Sequence, residues 1–166
     1  MKNIITVMVY LISGKKNEGK TSKLKQLFEK QEDAFGFVAE KVYDCGRVTT
    51  YNLVDINTGE KCTVARLASL PLPEDWGEGL KHGPFTFSSS GFEWARGLLK
   101  TASEAEAKTF FIDELGKMEL NGKGHADLIK SALNSGMDLY IAVRDTNVDD
   151  AVKAFGLRGH RVIEVG

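Results

Sequence analysis

Eight consecutive residues, Gly14-Lys15-Lys16-Asn17-Glu18-Gly19-Lys20-Thr21, fill every fixed position of the spacing G-x-x-x-x-G-K-[ST]. That spacing suits the holding of a chain of phosphates. Glycines let the backbone turn and approach where a Cβ would clash. The backbone N–H groups of such a loop, and those opening the next helix, wrap anionic oxygens, and the helix dipole adds to the attraction. Lys20 would reach the β- and γ-phosphates, Thr21 would offer its hydroxyl to Mg²⁺, and Ser22 completes the nucleotide-binding set. Asn17 stands where glycine is frequent, and Asn is the non-glycine residue best suited to a left-handed backbone. Lys15 and Lys16 either add positive charge beside the phosphates or point to solvent, as most lysines do. A chance match is the competing reading; the flanking sequence disfavours it, with an apolar strand before the loop and an amphipathic helix after it.

A second stretch, Phe110-Phe111-Ile112-Asp113-Glu114, is an apolar strand ending in two carboxylates. In a parallel sheet, ligands sit at the carboxyl ends of the strands. There Asp113 would join Thr21 in holding Mg²⁺, through a bound water. Glu114 would point at the γ-phosphate, orienting the attacking water and taking up its proton. Two carboxylates ending a strand are also ordinary terminators; the complete cradle upstream gives them chemical meaning.

These two stretches need a scaffold that brings them together. Asn3 to Ile12 is a β-branched-rich run of the kind found in strands covered on both faces. Gly19 to Gln31 reads as a helix with Leu24, Leu27 and Phe28 on one face. Phe35 to Val42, Tyr51 to Ile56 and Lys61 to Leu67 are strand-like, the last two joined by the turn Asn57-Thr58-Gly59-Glu60. Leu70 to Pro84 holds all three prolines and reads as a long loop, the kind that serves as a lid. Beyond it, Phe92, Ala95, Leu98, Leu99 and Ala102 mark a helix, Thr109 to Ile112 a strand, and Leu128, Ile129, Ala132 and Leu133 another helix. Leu139 to Val143 is a strand, Val148 to Phe155 a helix and Arg161 to Val165 a last strand. Alternating strands and helices imply a parallel sheet between helices. The expectation is one three-layer α/β domain over 1–166, its sheet mostly parallel, with an antiparallel hairpin inserted at about 36–68.

At 166 residues the chain is long enough to bury roughly 70% of its unfolded surface. Its 22 Lys and Arg against 23 Asp and Glu leave a net charge of -1, so no broad positive field draws nucleic acid or anionic membrane, and a nucleic-acid partner is not expected. The apolar run Ile4 to Ile12 is too short to span a bilayer, which takes about 20 residues. Cys45 and Cys62 find no His82, His125 or His160 at metal-ligand spacing and read as reduced, incidental thiols, which points to the cytoplasm.

Ile112-Asp113-Glu114-Leu115-Gly116-Lys117-Met118-Glu119-Leu120 closely resembles the I-D-E-[IL]-G-K-M-E-L signature of a small P-loop nucleoside-triphosphatase family, the thermophile and human cancer-related NTPase type. Gly36-Phe37-Val38-Ala39-Glu40-Lys41-Val42 is similar to its G-F-x-x-E-x-V strand, and Gly46-Arg47 and Phe92-Glu93 extend the likeness. The resemblance implies a RecA-like P-loop fold and Mg²⁺-dependent hydrolysis of ATP, GTP and other triphosphates, slow and tolerant of the base. It supports Lys20 and Glu114 as catalytic, adds Lys117, in the loop after the acidic pair, as a contact for phosphate or developing charge, and leaves Met118 and Leu120 to the core. Tyr43 departs from the family's usual arginine; Arg47 remains as a charge that would approach from the hairpin. Arg144 at a strand's end is read as the neighbour of a helix cap at Thr146 or Asn147 rather than as a site residue.

Two other functions fit part of this pattern. A small nucleotide or metabolite kinase usually carries arginines in its lid, and Leu70 to Pro84 has none. A nucleotide-regulated accessory protein would not need Glu114. A guanine-specific switch is disfavoured because no N-K-x-D motif occurs.

Overall fold

The structure, a computed structural model, describes residues 7–166. The elements are β1 (Val9–Gly14), α1 (Lys20–Glu29), β2 (Ala34–Asp44), β3 (Arg47–Asp55), β4 (Lys61–Leu67), β5 (Gly79–His82), β6 (Phe85–Ser88), α2 (Ser89–Glu104), β7 (Thr109–Leu115), α3 (Lys117–Leu120), α4 (Ala126–Leu133), β8 (Asp138–Arg144), α5 (Val148–Phe155) and β9 (Arg161–Glu164). The first part of the strand expected from Asn3 lies outside the described residues; β1 runs past Ile12 to Gly14.

Among the described residues nine strands join in one sheet, ordered β5-β6-β4-β3-β2-β7-β8-β1-β9. The pairs β2–β7, β7–β8, β8–β1 and β1–β9 are parallel, and β2–β3, β3–β4, β4–β6 and β6–β5 are antiparallel. Period-2 alternation divides the core. Phe110, Ile112, Leu139 and Ile141 face α2, α4 and α5, whereas Phe111, Tyr140 and Ala142 pack with Leu24, Leu27 and Phe28 of α1 on the opposite face. The α/β sandwich expected from the sequence is the fold.

Two expectations are corrected. The sheet is not mostly parallel, because the antiparallel arm continues beyond 68 through β5 and β6. Nor is Leu70 to Pro84 a structureless lid: after a short 3-10 turn at Glu74–Trp76 it enters β5, and Gly83-Pro84 forms the turn into β6. The proline and glycine that signalled a loop mark a hairpin turn, with Gly83 at φ 59.

The β2–β7 junction joins the two halves of the sheet, and it is tight. Gly36 adopts φ +155, and a Cβ there would stand 2.5 Å from the Phe111 carbonyl oxygen. On the other face, buried His125 lies between the Phe37 and Phe92 rings, with centroids 5.0 and 4.9 Å away. Burial, assisted by Arg96, pushes its pKa down to about 3. Glu119 ties α3 to the same place, Oε1 accepting from Gly116 N (2.8 Å) and Oε2 from His125 N (2.9 Å). Burial pushes its carboxyl up to about 7 against those bonds.

Gly36→Ala is expected to cost about 1–3 kcal/mol through this overlap, with a thermal melt falling by roughly 2–4 °C per kcal/mol. The buried pair predicts a pH effect. His125 ordinarily titrates at 6.5, so the unfolded chain takes its proton first and stability drops as pH falls from 6.5 toward 3. Glu119 has the opposite sign: its stabilisation is complete below 4.5 and is lost as pH rises through 7. Below 4.5 the histidine therefore acts without that offset, and His125→Phe, which fills the same aromatic niche, moves the acid-unfolding midpoint to lower pH in a circular-dichroism titration. An unchanged midpoint would refute this.

Candidate functional site

The loop from Gly14 to Gly19 leaves the carboxyl end of β1 and enters α1. Asn17 adopts φ 63, the left-handed conformation anticipated for it, and Gly19 at φ 91 opens the helix. Lys20 is 6% exposed; its Nζ donates to the carbonyls of Gly14 (3.1 Å) and Lys15 (2.8 Å). Those bonds draw the loop around the ammonium and leave one of its three N–H donors for a ligand. Behind the loop, a Cβ on Gly14 would stand 2.7 Å from Val165 Cγ2, so a side chain there would push the cradle off the sheet.

Helix α1 crosses from β1 to β2 over β8 and β7, which carries its first turn over the end of β7. There Thr21 Oγ1 donates to Asp113 Oδ2 at 2.8 Å, and the same oxygen accepts from Ala39 N of β2 at 3.0 Å. Burial raises the pKa of Asp113, opposed by these two bonds and the charges of Lys20 and Lys41. The Asp113–Glu114 peptide is cis, and the β7–β8 register shifts across it. Burial and the neighbouring Asp113 raise the Glu114 carboxyl, while Lys20, Arg144 and Lys41 counter them.

A cavity of about 750 Å³ opens over this point. Lys16, Asn17, Gly19, Lys20, Thr21, Ser22, Asp113, Glu114 and Lys117 line it. Gly14, Lys15 and Glu18 lie outside its lining; Glu18 Oε2 instead accepts from Lys15 N (3.2 Å), bracing the loop. Lys117 is the first residue of α3 rather than part of a loop. Arg47 is exposed and lies apart from the cavity. Arg144, in contrast, lines it together with Asn147, so its reading as a cap neighbour rather than a site residue is corrected, whereas Asn147 does stand at the N-cap position of α5, without a side-chain cap bond.

Other lining residues escaped the sequence reading. Ala39, Lys41 and Tyr43 recur every second residue on β2, so strand alternation would have placed them together. Lys41 bonds to the Asn17 side chain across the cavity mouth, and burial, with Lys16 nearby, lowers its pKa. Glu40 points the other way, to Lys61 at 2.9 Å. Glu119 and His125 also reach the cavity wall; Glu119 falls within the Ile112–Leu120 signature, whereas no short-range pattern marks His125.

The oxygen donors fit Mg²⁺, which keeps several waters and uses one or two protein oxygens besides the phosphates. Thr21 and Asp113 supply that number at bonding distance from each other. Among the described residues no three His, Cys, Asp or Glu gather as an all-protein metal cage would need.

A family model described as NTPase matches residues 9–166. The nucleoside-triphosphatase THEP1 of Thermotoga petrophila is 27% identical over 143 residues, covering 84% of this chain and 74% of that protein. The THEP1 of Thermotoga sp. strain RQ2 is 25% identical over 142 residues, covering 84% and 76%. Among solved structures, THEP1 from the hyperthermophile Aquifex aeolicus superposes with a TM-score of 0.70 at 25% identity, over 95% of this chain and 90% of that one. A human cancer-related nucleoside triphosphatase shares the fold, with a TM-score of 0.68 at 22% identity over 97% and 89%. With the match running from the cradle strand through the acidic pair to the last residue, the chain belongs to the NTPase family.

Proposed function

We propose that the chain hydrolyses nucleoside triphosphates, ATP and GTP alike, to the diphosphate and phosphate, with Mg²⁺ as cofactor. The observation that carries this reading is the 2.8 Å contact between Thr21 Oγ1 and Asp113 Oδ2, which joins the cradle to the acidic pair. Lys20, Lys41 and the loop N–H groups oppose the phosphate charge, and Lys117 adds to it from α3. Mg²⁺, held by Thr21 and Asp113, would supply further charge neutralisation on the phosphate oxygens. Glu114 orients a water in line with the γ-phosphorus and accepts its proton; the raised pKa makes it a stronger base than an exposed glutamate. The phosphorus–oxygen bond to the β-phosphate breaks as the bond to water forms.

Tolerance of the base is supported by the lack of an N-K-x-D motif in the sequence. Slow turnover is supported by Arg144 being the one arginine on the cavity wall among the described residues, set at a strand end rather than on an element that closes over the cradle. An arginine finger is worth about 10³ to 10⁵ in rate. A cytoplasmic setting is supported by free Cys45 and Cys62; among the described residues no helix is long and apolar enough to cross a membrane.

Glu114→Gln is expected to slow phosphate release by about 10²-fold or more while equilibrium dialysis with a non-hydrolysable triphosphate shows binding retained. Equal activity of that variant would end the general-base assignment. In the wild type, kcat falls with acidification through a pKa above the ordinary 4.5 of a glutamate, because only the ionised carboxylate accepts a proton. Chelation with EDTA abolishes phosphate release and added Mg²⁺ restores it; release undiminished by EDTA would remove the metal from the scheme.

A further inference from the structure

Hydrolysis needs a phosphate cradle, a base and a water, yet the cavity continues past Glu114 into a chamber of different chemistry. Its walls are Val64 of β4, Phe85 and Phe87 of β6, Phe92 of α2 and Met118 of α3. Phe87 and Phe92 lie parallel, with centroids 6.1 Å apart and 6° between planes, and Phe85 meets Tyr51 edge-on at 5.1 Å. An apolar, aromatic wall offers a water molecule nothing, whereas it offers a flat ring contact area and favourable stacking geometry.

One buried polar atom on this wall lacks a partner among the described residues. His125 lines the chamber at 6% exposure, and its buried Nδ1 has no hydrogen-bond partner among the described residues. Buried polar atoms are rarely left so, because each costs about 1–3 kcal/mol. Glu119 lines the same wall at 7% exposure with both oxygens already accepting from backbone N–H groups, and Glu114 lines the same continuous cavity.

We propose that this chamber binds a second substrate, a planar-ring compound of nucleoside size bearing a hydroxyl group, and that this hydroxyl accepts the γ-phosphoryl group in place of water. The inference rests on a triphosphate occupying the Gly14–Ser22 cradle, as proposed above, and goes beyond it in the identity of the nucleophile. The acceptor oxygen forms the new bond to the γ-phosphorus. The bond from that phosphorus to the bridging oxygen breaks, and the nucleoside diphosphate leaves with the bonding electrons. The acceptor's hydroxyl proton passes to the Glu114 carboxylate. The ring lies against Phe87 and Phe92.

The test incubates the protein with Mg²⁺ and ATP labelled in the γ-phosphate, alone and with adenosine, guanosine, cytidine or thymidine at millimolar concentration. Label entering at least one nucleoside as its monophosphate is the expected result. Phe87→Leu, which keeps bulk but removes the ring, should raise the half-saturating nucleoside concentration at least tenfold. Label confined to free phosphate with all four probes overturns the proposal, whether or not a probe slows its release. Transfer unaffected by Phe87→Leu overturns the placement of the acceptor. Phosphate release from ATP alone reports on hydrolysis separately, so failure of one reading is distinguishable from failure of the other.

Discussion

One short hydrogen bond, from the Thr21 hydroxyl to the Asp113 carboxylate, sets the terms for the molecule. Asp113 is 3% exposed, and a carboxylate taken that far out of water is tolerated only when its oxygens are bonded and positive charge stands nearby. The Thr21 hydroxyl and Ala39 N–H meet the first need, and Lys20 and Lys41 the second. Four segments must therefore arrive together: the loop after β1, the start of α1, the middle of β2 and the end of β7. The strand order β2-β7-β8-β1 does this by making α1 span the two strands between its neighbours in sequence. The sandwich is thus the means by which a buried acid is kept beside a hydroxyl and two ammonium groups.

The parallel half of this arrangement was legible in the sequence because its signals are local. A continuous apolar run means a strand covered on both faces, and Gly14 through Thr21 has a spacing few other functions require. Asn17 shows how far such reasoning reaches: its left-handed backbone followed from residue type alone. The parts that escaped are those decided by tertiary neighbours. Pro84 and Gly83 read as loop because turn chemistry looks the same in a hairpin as in a flap; pairing with β4 settles the matter for β6. Arg144 reads as a cap neighbour because nothing in its own stretch says that β8 ends level with Gly14. Glu119 and His125 belong to the wall through bonds made across the α3–α4 connection, and their burial has no signature in a single sequence.

The electrostatics of the cavity follow a gradient. Around the cradle, Lys16, Lys20, Lys41 and Arg144 set a positive field against two acids whose ionisation burial resists. Toward Phe87 and Phe92 charge gives way to rings, and desolvation disfavours the charged form of the two titratable groups there, pushing His125 down to about 3 and the Glu119 carboxyl up to about 7. One continuous volume thus presents a polyanion with counter-charge at one end and an apolar group with stacking surface at the other.

Gathering nine strands into a single sheet has a consequence for self-association. Of eighteen strand sides only two remain open among the described residues, one on β5 and one on β9, and each strand is four residues long. Exposed Lys81 and His82 mark the first border, and exposed Arg161 and Glu164 the second. A short, charged border makes a poor template for another chain, since a newcomer gains few ladder bonds and must desolvate ionic groups to make them. The architecture that buries Asp113 at its centre thereby limits unwanted growth at its margins.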